Sequence, residues 1–363
     1  MAEKTKVTGY FHVHSGALSE SHKAEYKSLL DDHTALAIEA PGRRRGFVDM
    51  VRAISYGTKP SEVFWRQFGG IEENDDTINQ FDRLLLLSKT GKIIFSPDVL
   101  PDSAEYKGVI EAEDKLDDVN DAFYKKVTDG SLHTVSDFMK SLETYKIATR
   151  DDALSMEIRE KFVANQLSSQ ISSWRNRNPN KPLSVLLEYG FYHLPGLNRI
   201  LKNDSNIEYE VVIQKPVIPG FNEGVSFTYR MGKEPSDTLA ALGIFENVVD
   251  RLLQKFTPRL DDRDQIERLY LFTKKLVSTL SLDKIVELCV NSNNSDNIRV
   301  SSSRKEIELM QKLLNLQDTV SIERRGVYTK TMENNADIVN AIQNRIAYLQ
   351  KTYPMSLGAK NLV

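Results

Sequence analysis

The sequence predicts an α/β protein with a mostly parallel sheet flanked by helices, and an appended all-helical C-terminal region. Two observations lead to this prediction. Short apolar runs alternate with helical patterns through the first part of the chain, which is typical of a parallel sheet covered by helices. After about Gly232, helical periodicity dominates. We therefore predict two domains, 1–231 and 232–363, with the functional site in the first.

The predicted strands are four short apolar runs and a weaker fifth, all rich in β-branched or aromatic residues. Several are apolar at successive positions, as expected of strands that are buried on both faces of a parallel sheet. The five strands are predicted at Lys6–Val13, Thr34–Ala40, Lys92–Ser96, Leu183–Tyr189 and Glu208–Gln214.

Amphipathic patterns predict helices between the strands and throughout the C-terminal region. The predicted helices are Ser19–Leu30, Asp75–Ser88, Arg150–Trp174, Pro235–Phe256, Asp262–Cys289, Ser303–Leu316 and Met332–Lys351. The short segment Val320–Lys330 is a candidate hairpin.

Composition excludes several classes of protein. With 48 basic and 51 acidic residues the net charge is -3, so no basic excess indicates binding to nucleic acid. The single cysteine, Cys289, excludes an internal disulfide framework, and its helical spacing predicts a core position. No apolar stretch approaches a membrane span of roughly 18 to 20 residues, and the first residues lack the apolar core of a signal peptide. We therefore expect a soluble cytoplasmic protein.

Ionisable side chains follow four of the predicted strands. The first strand runs into His12 and His14, the second ends at Glu39, the third at Asp98 and the fourth at His193. The carboxyl ends of parallel strands meet at one edge of a sheet, and ligands gather there. We therefore expect these side chains to lie close together.

Two of these histidines end similar tetrapeptides. Gly9-Tyr10-Phe11-His12 and Gly190-Phe191-Tyr192-His193 both have the pattern glycine, two aromatic residues, histidine. A glycine three residues before the histidine lets the backbone turn tightly or approach a neighbour closely. The repetition of the pattern at two strand ends favours a functional site, although either histidine could instead be a packed core residue.

The two GxxH segments, Glu39 with Arg43 after it, and the His193-Leu-Pro-Gly continuation resemble the TraB/PrgY–Tiki superfamily. Further matching segments are GKIIFSPD ending at Asp98, Tyr124 with Gly130–Leu132, and the Arg150-Asp151 pair. The resemblance runs from about Val7 to Gln214 and does not cover the helical C-terminal region. It departs from the family at Phe191 and Tyr192, which are bulky where the family usually has small residues.

The resemblance implies a hydrolase, because the superfamily includes Tiki-like metal-dependent proteases and is related to erythromycin esterases. Matched by motif, His12, Glu39 and His193 would form the centre and bind a divalent Mn, Co or Zn ion, with Asp98 supporting it and acting as a possible further ligand. The His12-x-His14 pattern adds His14 as another possible ligand. Arg43 and Arg150 would support catalysis on a peptide or small ester substrate. Two imidazoles and a carboxylate are a known hydrolytic metal set.

Other interpretations remain open at this point. Without metal, Glu39 or a histidine would act as general base, and Arg43 or Arg150 would stabilise an oxyanion. Glu39 could instead only form an ion pair with the arginines that follow it. The His12-x-His14 pattern also looks like the first strand of metal-dependent barrel hydrolases, since both side chains would lie on one side of a strand.

A non-catalytic protein on the same scaffold is the main alternative. It would bind a small ligand or peptide, and its C-terminal helices would dock a protein partner or a second copy of the chain. The leucine-rich run Ile307–Leu316 would suit such docking, although packing on the first domain is the simpler use.

Overall fold

The structure is a computed structural model of the 363-residue chain. It describes residues 4–12, 20–39, 92–95, 97–98, 103–213, 220–257, 263–290, 302–317 and 320–352. The predicted helix Asp75–Ser88, together with His14 and Arg43, lies outside the described residues, as does the side chain of His12.

Five strands form one parallel sheet in the order β3-β2-β4-β1-β5. Their bounds are β1 Thr5–His12, β2 Ala35–Ile38, β3 Ile93–Phe95, β4 Ser184–Gly190 and β5 Ile207–Ile213. The predicted α/β class and all five predicted strands are confirmed. Among the described residues the sheet is open, with β3 and β5 at its edges, whereas the barrel-hydrolase interpretation requires the strands to close into a ring.

The strand register places the carboxyl ends of the central strands at the same level. His12, the last residue of β1, pairs with Gly190, the last residue of β4. On the other side of β4, Ile38 pairs with Glu188, and the backbone N–H of Glu39 donates to the Glu188 carbonyl at 3.0 Å. The carboxyl ends of β1, β2 and β4 therefore lie side by side, as expected for parallel strands.

The described helices are α1 Glu20–Asp31, α2 Ala104–Asp129, α3 Val135–Arg177, α4 Leu194–Leu201, α5 Phe221–Arg230, α6 Asp237–Phe256, α7 Arg263–Ser278, α8 Leu282–Cys289, α9 Ser302–Leu314, α10 Ile322–Asn334 and α11 Ala336–Thr352. The last six, α6 to α11, agree with the prediction of an appended helical C-terminal region. None of these helices is both long and apolar enough to cross a membrane.

Two predictions of secondary structure in the C-terminal region, one of a helix and one of a hairpin, were wrong. The single helix expected at Asp262–Cys289 is two helices, because Ser281 accepts a hydrogen bond from the Lys284 N–H and starts a new helix. The candidate hairpin at Val320–Lys330 is largely α10. This helix buries only Tyr328 and Thr331, so its sequence carries no apolar stripe by which helical periodicity could be recognised.

The chain divides into two compact units that interleave along the sequence. The first unit comprises 1–113, 151–217 and 230–232, and the second comprises 114–150, 218–229 and 233–363. The predicted division was a single boundary between 231 and 232. The difference arises because Phe123, Phe138, Leu142 and Tyr145, which precede that boundary, belong to the hydrophobic core of the helical unit. Cys289 is buried in the same core, as predicted.

The core of the first unit lies between the sheet and helix α3. Helix α3 contributes Val163, Ala164, Leu167 and Ile171, which share one face because Leu167 lies four residues after Val163 and three after Ala164, and Ile171 lies four after Leu167. Strand β4 contributes alternate residues that include Tyr189. One turn earlier on α3, the same face carries the buried charged residues Arg159 and Glu160. Their side chains reach the carboxyl edge of the sheet.

The glycine of the first GxxH segment is required by close packing of the sheet. A Cβ atom on Gly9 would lie 2.4 Å from the hydroxyl oxygen of Tyr209 on β5 and 2.8 Å from the Phe11 ring. We predict that Gly9→Ala lowers the free energy of unfolding by about 1–3 kcal/mol, because both aromatic rings must move. Urea unfolding followed by circular dichroism measures the change.

Gly108→Ala on α2 is the matched control, since a Cβ atom there meets nothing within 4 Å. That substitution should leave stability unchanged or raise it by up to about 1 kcal/mol, because alanine is the better helix former. Equal stabilities of the two alanine variants would contradict the packing argument.

Candidate functional site

His193 reaches the edge of the sheet through a short turn. Strand β4 ends at Gly190, residues Phe191–His193 form one turn of 3-10 helix, and α4 begins at Leu194 with Pro195 in its first turn. Proline suits this position because the first N–H groups of a helix have no partner within the helix. The imidazole is nearly inaccessible, with 4% of its side-chain surface exposed.

Glu39 contacts this imidazole directly. Oε1 of Glu39 lies 3.1 Å from Nε2 of His193, and Oε2 accepts a hydrogen bond of 2.9 Å from the N–H of Gly190. The second GxxH glycine therefore anchors the carboxylate through its backbone. Its φ of −58° is one that any residue can adopt, so Gly190 is not required by the backbone angle.

Arg159 of α3 joins the ends of two strands. Its Nη2 lies 3.0 Å from Oε1 of Glu39 and 2.5 Å from Oδ2 of Asp98, and its Nε donates to Oδ1 of Asp98 at 2.9 Å. The two contacts with Asp98 form a bidentate pair, which fixes the plane of the guanidinium. Nη1 of the same group lies 3.4 Å from Nε2 of His193.

The other nitrogen of His193 faces a second carboxylate. Nδ1 lies 3.1 Å from Oε1 of Glu160, the residue next to Arg159 on α3. The same oxygen is paired with Nη2 of Arg230, at the end of α5. Arg230 also donates through Nη1 to the backbone carbonyl of Tyr192, and its guanidinium carbon lies 5.2 Å from the centre of the Tyr192 ring.

Among the described residues, six side chains form a cluster with equal numbers of acidic and basic members. The acidic members are Glu39, Asp98 and Glu160, and the basic members are Arg159, Arg230 and His193. The side chain of Glu39 is the most exposed of the six at 15%, and those of Asp98 and Glu160 are fully buried. With His193 protonated, three negative charges meet three positive ones. Such pairing is the condition under which charged groups are tolerated inside a protein.

The cluster shifts the proton affinity of His193. Burial disfavours the charged imidazole and is the largest single influence, but the carboxylates of Glu39 and Glu160 outweigh it and raise the pKa to about 8. His193 is therefore mostly protonated at neutral pH. Burial also raises the pKa of Tyr189, whose ring packs edge-on against the imidazole at 5.5 Å, so this phenol stays neutral.

Some of the predicted site residues lie in the cluster, some lie elsewhere, and some are outside the described residues. Glu39, Asp98 and His193 meet in one cluster, together with Arg159. Arg150 is exposed on α3 and belongs to the second unit. His12 ends β1 beside Gly190, but the structure describes its backbone alone. His14 and Arg43 lie outside the described residues.

Sequence reasoning missed Arg159, Glu160 and Arg230. A signal for the first two is present in the helical pattern, because both fall on the face of α3 that carries Val163, Ala164 and Leu167 into the core. Charged residues in an apolar stripe need partners, and the partners are the residues at the strand ends. Arg230 has no comparable signal, since it lies far along the chain in a short helix.

The described residues do not fit a divalent metal in this arrangement. Nη2 of Arg159 lies between Glu39 and Asp98, where an ion bridging the two carboxylates would sit, and both nitrogens of His193 face carboxylate oxygens. A metal-binding imidazole must present a neutral nitrogen with a free lone pair. Within the described part of the chain, no group of three or more potential metal-binding side chains occurs. The metal site with His12, Glu39 and His193 stays a prediction.

No family model, curated protein or solved structure matches the chain. The resemblance to the TraB/PrgY–Tiki superfamily therefore also stays a prediction, and the function must be argued from the cluster itself.

The raised pKa of His193 predicts a stability that falls as the pH rises. The native pKa of about 8 lies above the ordinary value of 6.5, so the extra stability is fully present below pH 6.5 and is lost as the pH passes 8. We expect a loss of about 2 kcal/mol over this range. Urea unfolding from pH 6 to 9 measures it, with His193→Gln as the control that lacks the titrating group. Identical pH dependence in both proteins would contradict the assignment.

Gly196 leaves the space that Glu160 occupies. A Cβ atom at this position would lie 1.6 Å from Oε2 of Glu160 and 3.1 Å from Nη2 of Arg230. We predict that Gly196→Ala lowers the free energy of unfolding by about 1–3 kcal/mol, because the buried ion pair must move. Thermal or urea unfolding tests this against Gly326→Ala on α10, where nothing lies within 4 Å. A Gly196→Ala protein as stable as this control would show that the carboxylate moves freely.

Proposed function

We propose that the protein is a hydrolase that cleaves a peptide or ester bond, with Glu39 and His193 as its acid–base pair. The observation that supports the proposal is the contact between Oε1 of Glu39 and Nε2 of His193 at the carboxyl edge of a parallel sheet. Glu160 holds Nδ1 of the same imidazole, so Nε2 is the atom oriented for proton transfer. An imidazole whose second nitrogen is held by a carboxylate is a recurring feature of hydrolytic sites.

Glu39 is suited to be the base that activates water. It is the most exposed side chain of the cluster, and it accepts hydrogen bonds from Arg159 and the Gly190 N–H. In the first step, this carboxylate removes a proton from water while the water oxygen attacks the substrate carbonyl carbon. The electron pair of the carbonyl moves to its oxygen and gives a tetrahedral oxyanion.

His193 is suited to be the acid. Its pKa of about 8 keeps Nε2 protonated at neutral pH, so it can donate a proton to the leaving oxygen or nitrogen as the scissile bond breaks. The proton that Glu39 took from water then passes to the neutral Nε2 across the 3.1 Å contact. This last transfer restores both groups to their starting states.

Arg159 keeps a positive charge beside the reacting pair. Its contacts with Asp98 and Glu39 raise its pKa despite its burial, so the guanidinium stays charged. A fixed positive charge close to His193 favours the developing oxyanion, and a buried group requires little reorganisation when that charge appears. Asp98 positions Arg159 through the bidentate pair.

A non-catalytic binding protein is the second candidate, and the burial of the cluster favours it. Only 4% of the His193 side chain is exposed, and Arg159 is 10% exposed. A buried, charge-balanced cluster can serve to fix three strand ends and α3 in one geometry without any chemistry. The two candidates differ in what Glu39→Gln does: it abolishes turnover in a hydrolase and alters only stability or ligand affinity in a binding protein.

We predict that Glu39→Gln and His193→Gln each lower kcat/KM by roughly 10²–10⁴-fold, since each removes one partner of the proton-transfer pair. The measurement is initial rates on a panel of esters and short peptides, with circular dichroism to establish that the variants fold. Glu210→Gln on β5 is the control, because this exposed carboxylate pairs with Lys6 and Thr8 away from His193. A folded Glu39→Gln protein with the wild-type rate would exclude Glu39 as the base.

The pH profile follows from the same assignment. Catalysis by protonated His193 requires kcat/KM to fall as the pH rises through about 8, where the imidazole loses its proton. Rates between pH 6 and 9.5 on the best substrate of the panel test this. A rate that increases through pH 8 would mean that neutral His193 is the base, and the roles of the two residues would have to be exchanged.

A further inference from the structure

Hydrogen bonds join the end of helix α1 to strand β5 through His33 and Thr8. His33 follows α1, and its Nδ1 lies 2.6 Å from the carbonyl oxygen of Leu29 in the last turn of that helix. Its Nε2 lies 2.7 Å from Oγ1 of Thr8 on β1. The same Oγ1 lies 2.6 Å from Oε1 of Glu210, the register partner of Thr8 on β5. These four groups form a continuous line of hydrogen bonds from a helix across two strands.

The protons available to this line determine the charge of His33. A carbonyl oxygen only accepts hydrogen bonds, so Nδ1 must carry a proton to contact Leu29. The hydroxyl of Thr8 has one proton, and two neighbours, Nε2 of His33 and Oε1 of Glu210, can accept it. If that proton goes to Glu210, Nε2 must carry a proton as well. All three contacts are then satisfied only by a doubly protonated, positively charged ring.

Glu210 takes the proton of Thr8 because this carboxylate is ionised at neutral pH. Its side chain is 52% exposed, and Oε1 lies 2.9 Å from Nζ of Lys6. The hydrogen bond from Thr8 and the pairing with Lys6 lower the pKa of Glu210. An ionised carboxylate has no proton to donate, so Thr8 donates to Glu210 and accepts from His33.

The end of α1 also favours a positive ring. The last carbonyl groups of a helix have no partner within it and carry a partial negative charge. The last turn of α1 has no basic residue of its own. Instead, His33 meets the carbonyl of Leu29, while Nζ of Lys92 lies 3.4 Å from the carbonyl oxygen of Asp31. His33 is 5% exposed and Thr8 is fully buried, so water competes little for these contacts.

We propose that His33 is a proton-dependent clamp, whose charged ring holds the end of α1 against β1 and, through Thr8, links it to β5. When the ring loses a proton to solvent, Nδ1 keeps the remaining proton because it faces a carbonyl. Nε2 then competes with Glu210 for the single proton of Thr8. One contact of the line is lost, and the hold on α1 weakens.

Charged groups of four elements surround this line. They are Glu210 on β5, Lys6 on β1, Lys92 before β3, and Asp31 and Asp32 at the end of α1. Among the described contacts, Glu210 alone is linked to a ring nitrogen, through Thr8. Lys6 pairs with Glu210, and Lys92 donates to backbone carbonyls, including that of His33. The proton on Nε2 therefore depends on Glu210 more than on any other of these groups.

Nitrogen-15 nuclear magnetic resonance of histidine-labelled protein tests the proposal. The chain has six histidines, and the signals of His33 are identified by their loss in His33→Gln. In Glu210→Gln the new amide donates to Thr8, whose proton is then free for Nε2, so a neutral ring satisfies the whole line. We therefore expect Nε2 to lose its proton at a lower pH in Glu210→Gln than in the wild type. Nδ1 should stay protonated in both proteins.

Glu208→Gln is the matched control, because it removes the same charge from another exposed position on β5, two residues from Glu210. It should leave the proton on Nε2 close to that of the wild type. No shift in Glu210→Gln, or an equal shift in Glu208→Gln, would overturn the proposal, because the ring would then sense no specific link through Thr8. Thr8→Ser keeps the hydroxyl and should behave as the wild type, whereas Thr8→Val should lose the Nε2 proton at a lower pH.

Amide hydrogen exchange in the last turn of α1 tests whether the charged ring acts as a clamp. The ratio of exchange rates between the wild type and Glu210→Gln removes the intrinsic effect of pH on exchange. This ratio should rise as the wild-type ring loses its proton, since the line stays satisfied at every pH in Glu210→Gln. A constant ratio would mean that the charge does not hold the helix, and would overturn the proposal. Neither measurement requires turnover, so the result is independent of the proposed hydrolase function.

Discussion

The need to neutralise buried charge determines how the carboxyl edge of the sheet is built. Three carboxylates, from Glu39, Asp98 and Glu160, lie where water has little access, and each must meet a positive group. Arg159 satisfies two of them and Arg230 satisfies the third. His193 lies between Glu39 and Glu160 and completes the balance only when it is protonated. Removing one partner would leave a buried charge uncompensated, and that loss costs far more than the pair contributes while it is intact.

The same constraint links the fold to the protonation of His193. Parallel strands bring Glu39 and the Gly190–His193 turn to one level, and α3 covers that edge with Arg159 and Glu160 because its apolar stripe is already seated on the sheet. The carboxylates of Glu39 and Glu160 favour the protonated imidazole of His193, and the guanidinium of Arg159 weakens this effect. The fold and the protonation of His193 thus depend on one balance, since the arrangement that pairs the buried charges also raises the pKa of His193 to about 8.

The sequence predicted the parts of this structure that have a periodic signal. Apolar runs located all five strands, and the rule that strand ends converge predicted that Glu39, Asp98 and His193 would lie together. Arg159 and Glu160 could have been recognised as charges in a buried helical stripe. Arg230 could not, because its partners are distant in the chain. The helix at Ile322–Asn334 was missed since only Tyr328 and Thr331 face a core. The interleaved units follow from packing that crosses the predicted boundary, which no local pattern reveals.

Arg159 lies between Glu39 and Asp98, where a metal ion bridging the two carboxylates would sit. Whether the cluster binds a metal is measured by elemental mass spectrometry of untagged protein, after incubation with Mn, Co and Zn and removal of free metal, with His193→Ala beside the wild type. We expect well below one equivalent of any of these metals in both proteins, because the guanidinium already pairs with both carboxylates. Close to one equivalent in the wild type, lost in His193→Ala, would contradict it and would favour the metal centre that the two GxxH segments suggest.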